Sequence, residues 1–243
     1  MCRSSRLPLL PVVVSPFELP EGEVKTTTVR RMFDVIAPRY ELVNHILTFG
    51  LDRRWRRRAM RDLALPEGST LLDVAAGTGD FCREAKKHGH IPFATDLSFG
   101  MMDAGGDFAP RTQADAAHLP FVDGAFDGLT CGYALRNFTD LAGAISEMGR
   151  VVRPGGRIVF LEVAEPKGGL WRLGFRIWFR GVVPIIGGLL SDRKAYRYLP
   201  KSTAYLPPTD EIIELMRAGG MSTVNHRLIL GGLSQQFTAT KAL

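Results

Sequence analysis

Cysteine is scarce: Cys2, Cys82 and Cys131 are the only three in 243 residues, and no two form a C-x-x-C pair. Neither a structural zinc nor a disulfide framework is suggested, no metal site is expected, and a reducing cytosol is the natural setting. Long hydrophobic runs are also missing. None approaches the roughly 20 uncharged residues that a spanning helix needs. The first 22 residues hold a short apolar stretch, but Pro8, Pro11 and Pro16 break it, and no clear small-residue cleavage site follows. That argues against a signal peptide, and residues 1–25 are expected to be a flexible tail. Repeats and low-complexity tracts are absent as well.

What is present, 45% hydrophobic and 23% charged residues, fits one α/β domain with a substantial core and appended helices. The net charge of +6 is modest but uneven, since Arg53, Arg54, Arg56, Arg57, Arg58 and Arg61 crowd into nine positions. Such a cluster is either a solvated helix face or a site of attraction to an anionic surface, membrane or nucleic acid.

Helical spacing governs the first part of the chain, with Val29, Met32, Phe33 and Ile36 recurring on one face and Pro38 breaking the run. A second helix can begin near Tyr40, and an arginine-rich third runs from about Asp52 to Leu65. After Pro66-Glu67-Gly68 the pattern changes to short apolar strands: Thr70 to Ala75, Ile91 to Thr95, a weaker Arg111 to Ala114, Gly128 to Gly132, and Arg157 to Val163. Helices near Phe81 to His88, Leu97 to Ala104 and Leu141 to Val152 alternate with them, which predicts βαβ units and a parallel sheet. Arg153-Pro154-Gly155-Gly156 reads as a helix stop and turn. A helix over Asp210 to Ala218 precedes two strand-like runs, Thr223 to Leu230 and Ser234 to Thr240, which flank Gly231-Gly232 and must pair antiparallel.

The first strand ends in Asp73-Val74-Ala75-Ala76-Gly77-Thr78-Gly79. A glycine turn before a helix lets backbone N–H groups approach a nucleotide closely. The dinucleotide pattern G-x-G-x-x-G fails here, because Cys82 stands at the third glycine position. Asp73 would oppose a pyrophosphate and suits a cationic ligand instead. Asp96, at the end of the second strand, is placed to take both hydroxyls of a ribose. Asp115, after the third, can accept from an adenine amino group. Each acid could instead be a helix N-cap.

This order of acids and glycines resembles the class I S-adenosylmethionine (SAM)-dependent methyltransferases, with Asp73 to Gly79, Asp96, Asp115-Ala116 and Arg153-Pro154-Gly155-Gly156 as the matching residues. The resemblance implies a Rossmann-like α/β fold: a seven-stranded, mostly parallel sheet with an antiparallel C-terminal strand and an N-terminal helical cap. It also implies SAM as the cofactor, held by Asp73, Gly77, Thr78, Gly79, Asp96, Asp115, Ala116 and Gly132. Two departures stand out. Ala75 replaces a frequent first glycine, and Gly132 stands where a small hydroxyl residue is expected, so a side-chain contact to the cofactor is replaced by backbone or lost.

Arg39 to Arg57, RYELVNHILTFGLDRRWRR, together with GYALRNFTD at Gly132 to Asp140 and AYRYLPKS at Ala195 to Ser202, is similar to the demethylmenaquinone and ubiquinone-biosynthesis C-methyltransferases. This likeness covers about Val29 to Lys241. It implies a prenylated quinol as substrate and a methyl passed in line from sulfur to a ring carbon. The candidates to contact the ring are Tyr40, Asn44, His45, Arg136 and Asn137. His45 is a general base or a packed helix histidine. Arg136 stays protonated and would stabilise a phenolate or order a water. Tyr133 is either core or site, and Cys131 a buried structural thiol.

Between Gly168 and Ser191, Arg172, Arg176 and Arg180 recur every fourth residue among Leu173, Phe175, Ile177, Trp178 and Phe179. A helix there either packs on the sheet with a solvated stripe or lies at a lipid interface as a lid for an isoprenoid tail. The domain is thus expected over 26–243, with a cap at 26–65 and a lid or substrate-side insertion at 168–206. The expected location is cytoplasmic, with peripheral contact at the inner face of the membrane and no nucleic-acid partner. A homodimer is left open. The rivals are a benzoquinol rather than a naphthoquinol substrate, an RNA or protein methyltransferase, and a non-enzymatic lipid-binding module. An amino-methylating DNA enzyme is disfavoured because its Asn/Asp-Pro-Pro-Tyr motif is replaced here by Gly132 to Asn137.

Overall fold

Seven strands form one sheet in the computed structural model, which describes residues 22–166 and 168–243. They are β1 (Thr70–Val74), β2 (Ile91–Asp96), β3 (Arg111–Gln113), β4 (Phe126–Gly132), β5 (Val152–Val163), β6 (Met221–Ile229) and β7 (Ser234–Lys241), in the order β3-β2-β1-β4-β5-β7-β6. The pairs from β3 to β5 are parallel, and β7 runs antiparallel to both β5 and β6. The expected sheet is therefore the observed one. The inner strands are apolar on both faces because helices cover both sides: Leu71, Leu72 and Val74 of β1 are buried, as are Ile158 to Leu161 of β5.

The chain leaves β1 toward β2 and β3, then returns to place β4 on the other side of β1. That reversal opens a crevice at the carboxyl ends of β1 and β4, where open α/β sheets bind ligands. Helices α4 (Asp80–Lys87), α5 (Phe99–Ala104), α6 (Leu141–Arg150) and α10 (Thr209–Ala218) pack on the sheet. The largest core joins Ile145, Met148, Ile212 and Met216 to the sheet residues Leu129, Phe160 and Phe237. On the other face Ala59, Met60 and Leu63 of α3 (Leu51–Leu63) and Phe81 and Ala85 of α4 pack on Leu71, Val159 and Leu161.

A third cluster builds the cap. It joins Ile36 of α1 (Gly22–Ile36) and Val43 of α2 (Tyr40–Thr48) to Val183 of α8 (Val183–Leu190) and to Ala195 and Tyr196 of α9 (Arg193–Ser202). Burial of Ile36, Val43 and Val183 contributes about 1.5–3 kcal/mol each. The N-terminal helices and the late insertion, far apart in sequence, thus share one small core. Trp178 donates from Nε1 to Leu47 O (3.3 Å), and Arg39 donates to Leu190 O (2.8 Å), closing the same seam.

Several boundaries differ from the sequence reading. The first helix starts at Gly22, so the expected tail boundary at residue 25 falls inside α1, where Lys25 donates to Phe138 O (2.7 Å). The remainder of that tail, residues 1–21, lies outside the described residues. Arg153 to Gly156 fall inside the span of β5, which begins at Val152, but they do loop out as expected: the pairing with β4 passes from Phe126–Val152 to Gly128–Arg157 and leaves all four unpaired. Gly155, at φ +74°, supplies the irregularity. The expected stripe of three arginines does not run along one regular helix. Arg172 and Arg176 are exposed on α7 (Gly169–Ile177), whereas position 180 falls in a π-helical turn, Trp178–Val182, that breaks the spacing by four, and the Arg180 side chain lies outside the described residues.

Candidate active site

Asp73 stands at the crevice end of β1, opposite Thr130 of β4, and is 1% exposed. It accepts from Thr130 Oγ1 (2.8 Å) and from Cys82 Sγ (3.6 Å). Burial pushes its carboxyl up to about 7, against the lowering pull of those donors and of Arg56. A carboxylate held this far from water calls for a cation beside it. The next residues turn sharply. Ala75 sits at φ +55°, Gly77 at +56° and Gly79 at +88°, and Gly79 N donates to Ala76 O (2.9 Å). Gly79 tolerates no side chain, since a Cβ would collide with the Phe108 ring and its backbone is left-handed. Alanine at position 75 takes the strained conformation without glycine's freedom.

Asp96 ends β2 and fastens this loop. Its Oδ2 accepts from Gly77 N (2.8 Å) and its Oδ1 from Ser98 N (2.8 Å). Burial raises its carboxyl to about 6, with those backbone donors lowering it. Ser98 donates to Asp34 Oδ1 (2.5 Å), so α1 is tied to the same corner. With a third backbone hydrogen bond, from Leu97, the Asp96 carboxylate keeps about one acceptor site for a ribose hydroxyl. Asp115 is exposed, with Oδ1 accepting from Ala117 N (3.0 Å), and Ala116 behind it is buried. Thr78 is buried in the loop. Asp73, Gly77, Thr78, Gly79, Asp96, Asp115 and Ala116 thus follow the crevice in order, and the buried Asp73 and unpartnered Thr95 Oγ1 leave polar demand beside it. These residues fit an adenosyl sulfonium.

Gly132 has a packing reason of its own: a Cβ there would lie 2.8 Å from the Phe81 ring. The space in which a hydroxyl side chain was expected is filled by that aromatic. Cys131 is fully buried, and burial pushes its thiol well above the usual range, as suits a structural role.

Beside the crevice lies a cavity of about 330 Å³ between the sheet and the cap. Tyr40 and Asn44 reach it from α2, Asp52 and Trp55 from α3, Tyr133 and Arg136 from the segment after β4, and Phe175, Trp178 and Phe179 from the insertion. Its wall is mainly apolar. Tyr133 holds a left-handed φ of +61°, strain of the kind found at ligand sites, and its hydroxyl lies 3.2 Å from Ser234 Oγ. Burial raises the Tyr40 hydroxyl, the nearby Arg56 and Arg136 opposing, so Tyr40 remains a donor at neutral pH. Arg136 is 5% exposed and paired with fully buried Glu162 of β5, and it also donates to Tyr133 O (2.7 Å) and Ser202 Oγ (3.1 Å).

Of the five residues expected at the ring, Tyr40, Asn44 and Arg136 line this cavity. His45 and Asn137 do not. The His45 ring turns toward α3, where Nε2 accepts from Arg53 Nε (2.9 Å) and Nδ1 lies 3.2 Å from Asp52 Oδ2, off the hydrogen-bonding direction. Asn137 ends the short turn Leu135–Asn137, with Oδ1 buried and unpartnered. Sequence reasoning missed Asp52 and Glu162. Glu162 carried a signal, a lone acid inside the apolar run IVFLEV. The arginine cluster of α3 divides: Arg56 is buried between Asp52 (2.7 Å) and Asp80 (3.4 Å), Arg57 meets Glu84 (3.5 Å), and Arg54, Arg58 and Arg61 are exposed.

A sheet of this order, with an acid and glycine turn after β1 and a second acid after β2, defines a class I SAM-dependent methyltransferase. Solved structures share the fold. A SAM-dependent methyltransferase from Thermotoga maritima aligns with a TM-score of 0.63 at 17% identity, over 87% of this chain and 99% of that one. Phosphoethanolamine N-methyltransferase 2 of Haemonchus contortus, in complex with S-adenosyl-L-methionine, aligns at 0.59 and 14%, over 78% and 53%. The sequence narrows the class, because residues 21–241 match the model of the ubiE/COQ5 methyltransferase family. The chain belongs to that family and is a methyltransferase. Demethylmenaquinone methyltransferase of Roseiflexus castenholzii is 40% identical over 231 residues, 92% of this chain and 97% of the relative. The ubiquinone/menaquinone biosynthesis C-methyltransferase UbiE of Geobacter sulfurreducens is 38% identical, over 90% of each.

Proposed function

We propose that this enzyme methylates a ring carbon of a prenylated quinol with SAM as donor, and that demethylmenaquinol is the preferred ring. The observation that carries the reading is the cavity: apolar and aromatic walls of a size for a bicyclic ring, a donor-only Arg136 and a protonated Tyr40, set beside the acid and glycine crevice. Bound SAM supplies a methyl group made electrophilic by the sulfonium. Asp73 offsets positive charge at the end of β1, Asp96 and the Gly77 to Gly79 backbone hold the ribose side, and Asp115 with Ala116 borders the adenine. Arg136, fixed by Glu162, stabilises a developing phenolate without serving as a base. Asn44 and Tyr40 orient the ring so that its carbon lies in line with the methyl.

The cap and the 168–206 insertion form the substrate-side lid in this reading. Among the elements that frame the cavity, α2 exposes Leu42 and Ile46, Phe49 follows it in the wall and is exposed too, α7 exposes Leu173 and Ile177, and α8 exposes Leu189. Phe49 packs on Trp178 (centroids 4.9 Å), so these surfaces are neighbours. Exposed Arg172 and Arg176 rim them. An isoprenoid tail would leave through this face toward an anionic membrane, on which the protein rests peripherally. No helix among the described residues is long and apolar enough to cross a membrane.

The Geobacter relative's name keeps a benzoquinol as the second substrate reading. Comparing kcat/KM for short-tailed demethylated naphthoquinol and benzoquinol decides between them. A preference for the naphthoquinol is expected, and the reverse preference would transfer the assignment.

A further inference from the structure

The cavity contains one carboxylate that the reading above leaves without a task. Asp52 lines the wall yet is 1% exposed overall. Among the described residues lining the cavity it is the only acid, and Arg136 is the only cation. Its surroundings hold it ionised. Oδ1 accepts from Thr48 Oγ1 (2.8 Å) and Oδ2 from Arg56 Nη1 (2.7 Å). Burial by itself would raise the carboxyl, but Arg56, the Thr48 hydroxyl, His45 and the Arg53 backbone together bring it below the ordinary range. An ionised carboxylate has only acceptor sites, about four of them, and the three hydrogen bonds from Thr48, Arg56 and the Arg53 backbone leave room for another donor.

A group that only accepts discriminates between the two oxidation states of a quinone ring. The hydroquinone presents O–H donors; the quinone presents carbonyl oxygens, which accept only. We propose that Asp52 is the specificity residue that admits the reduced ring, taking a hydrogen bond from a ring hydroxyl and opposing the carbonyl of the oxidised form. This rests on the quinol reading. It also matches the chemistry, since the hydroquinone carbon is nucleophilic and the quinone carbon is not. Asp52 and Arg136 give the cavity one anionic acceptor and one cationic donor, so a ring can donate one hydroxyl to Asp52 while its other oxygen accepts from Arg136. His45, Thr48 and Arg56 act through Asp52 as positioning residues.

The test is equilibrium binding, by tryptophan fluorescence, of a short-tailed demethylated naphthoquinone and its anaerobically reduced quinol to the S-adenosylhomocysteine complex. Wild type should favour the quinol by on the order of 100-fold, because an unmatched acceptor pair in a buried site is strongly rejected. Asp52→Asn, whose amide can donate to a carbonyl, should bring the two forms within about threefold. Binding of S-adenosylhomocysteine itself should be unchanged. The dimethyl ether of the quinol has oxygens that only accept and does not interconvert with the quinone. Wild type should bind it as weakly as the quinone, a check that holds even if the variant does not fold. Equal wild-type affinity for quinol and ether, or an Asn variant with the preference intact, would overturn the assignment to Asp52. Failure of wild type to bind either ring would instead overturn the quinol reading itself.

Discussion

Asp73 and Asp96 are carboxylates that burial has moved toward neutrality, to about 7 and about 6. An unfolded aspartate titrates near 3.9. Between that value and the folded ones the native state binds the extra protons, so the ligand-free protein loses stability as the pH rises from about 4 to about 7. A cationic donor reverses the preference, because it favours the ionised carboxylates. SAM should therefore bind more tightly as pH climbs from about 5.5 to 7.5, with proton release visible by calorimetry in buffers of different ionisation enthalpy. Asp73→Asn should weaken binding roughly tenfold or more and flatten that rise. A pH-independent affinity in wild type would dissociate Asp73 from the donor's charge. At this scale the sequence is informative where a side chain's role follows from its place on a strand. Asp73 and Asp96 are legible because strand ends in a parallel sheet face one crevice. His45 and Asp52, seven residues apart, were not, because which of two neighbouring helical side chains enters the cavity depends on how α2 and α3 pack, and the chain order does not encode that.

At the scale of elements, the strands and most helices appear where apolar periodicity changes. The departures are irregular: a strand that continues through Pro154 and two glycines by a bulge, and a π turn that ends the regular spacing after Arg176. Periodicity assumes one repeat, so it cannot register a turn of five. The same π turn belongs to the segment that carries Trp178 against Phe49 and Leu47, coupling α7 to α2. Arg172 meets Glu165 (3.0 Å) but is exposed, and Arg176 is exposed as well. An exposed pair of this kind contributes at most about 1 kcal/mol to stability. Arg172→Glu/Arg176→Glu should therefore leave the fold intact while weakening sedimentation with anionic liposomes about thirtyfold, at roughly 1 kcal/mol per charge near the surface before any repulsion. Equal sedimentation of the double variant and wild type would remove α7 from the membrane face.

The whole molecule places a nucleotide crevice and an apolar cavity side by side, one belonging to the sheet and the other to the cap. The sheet was fully legible, order aside, because seven short apolar runs with intervening helices admit few topologies. The cap was legible only in pieces. Residues 26–65 and the insertion after Gly168 each read as helical, but nothing in either segment announces that Ile36 and Val43 will share a core with Val183 and Tyr196. That long-range packing closes the cavity and turns a general methyltransferase fold into one suited to a bulky apolar ring. Carbon methylation of such a ring is tested directly by supplying purified protein with SAM labelled at the methyl group and anaerobic short-tailed demethylmenaquinol. One labelled methyl is expected on a ring carbon of the product, located by NMR, with stoichiometric S-adenosylhomocysteine. Label on a ring oxygen, or none on the ring while SAM binds normally, would contradict it.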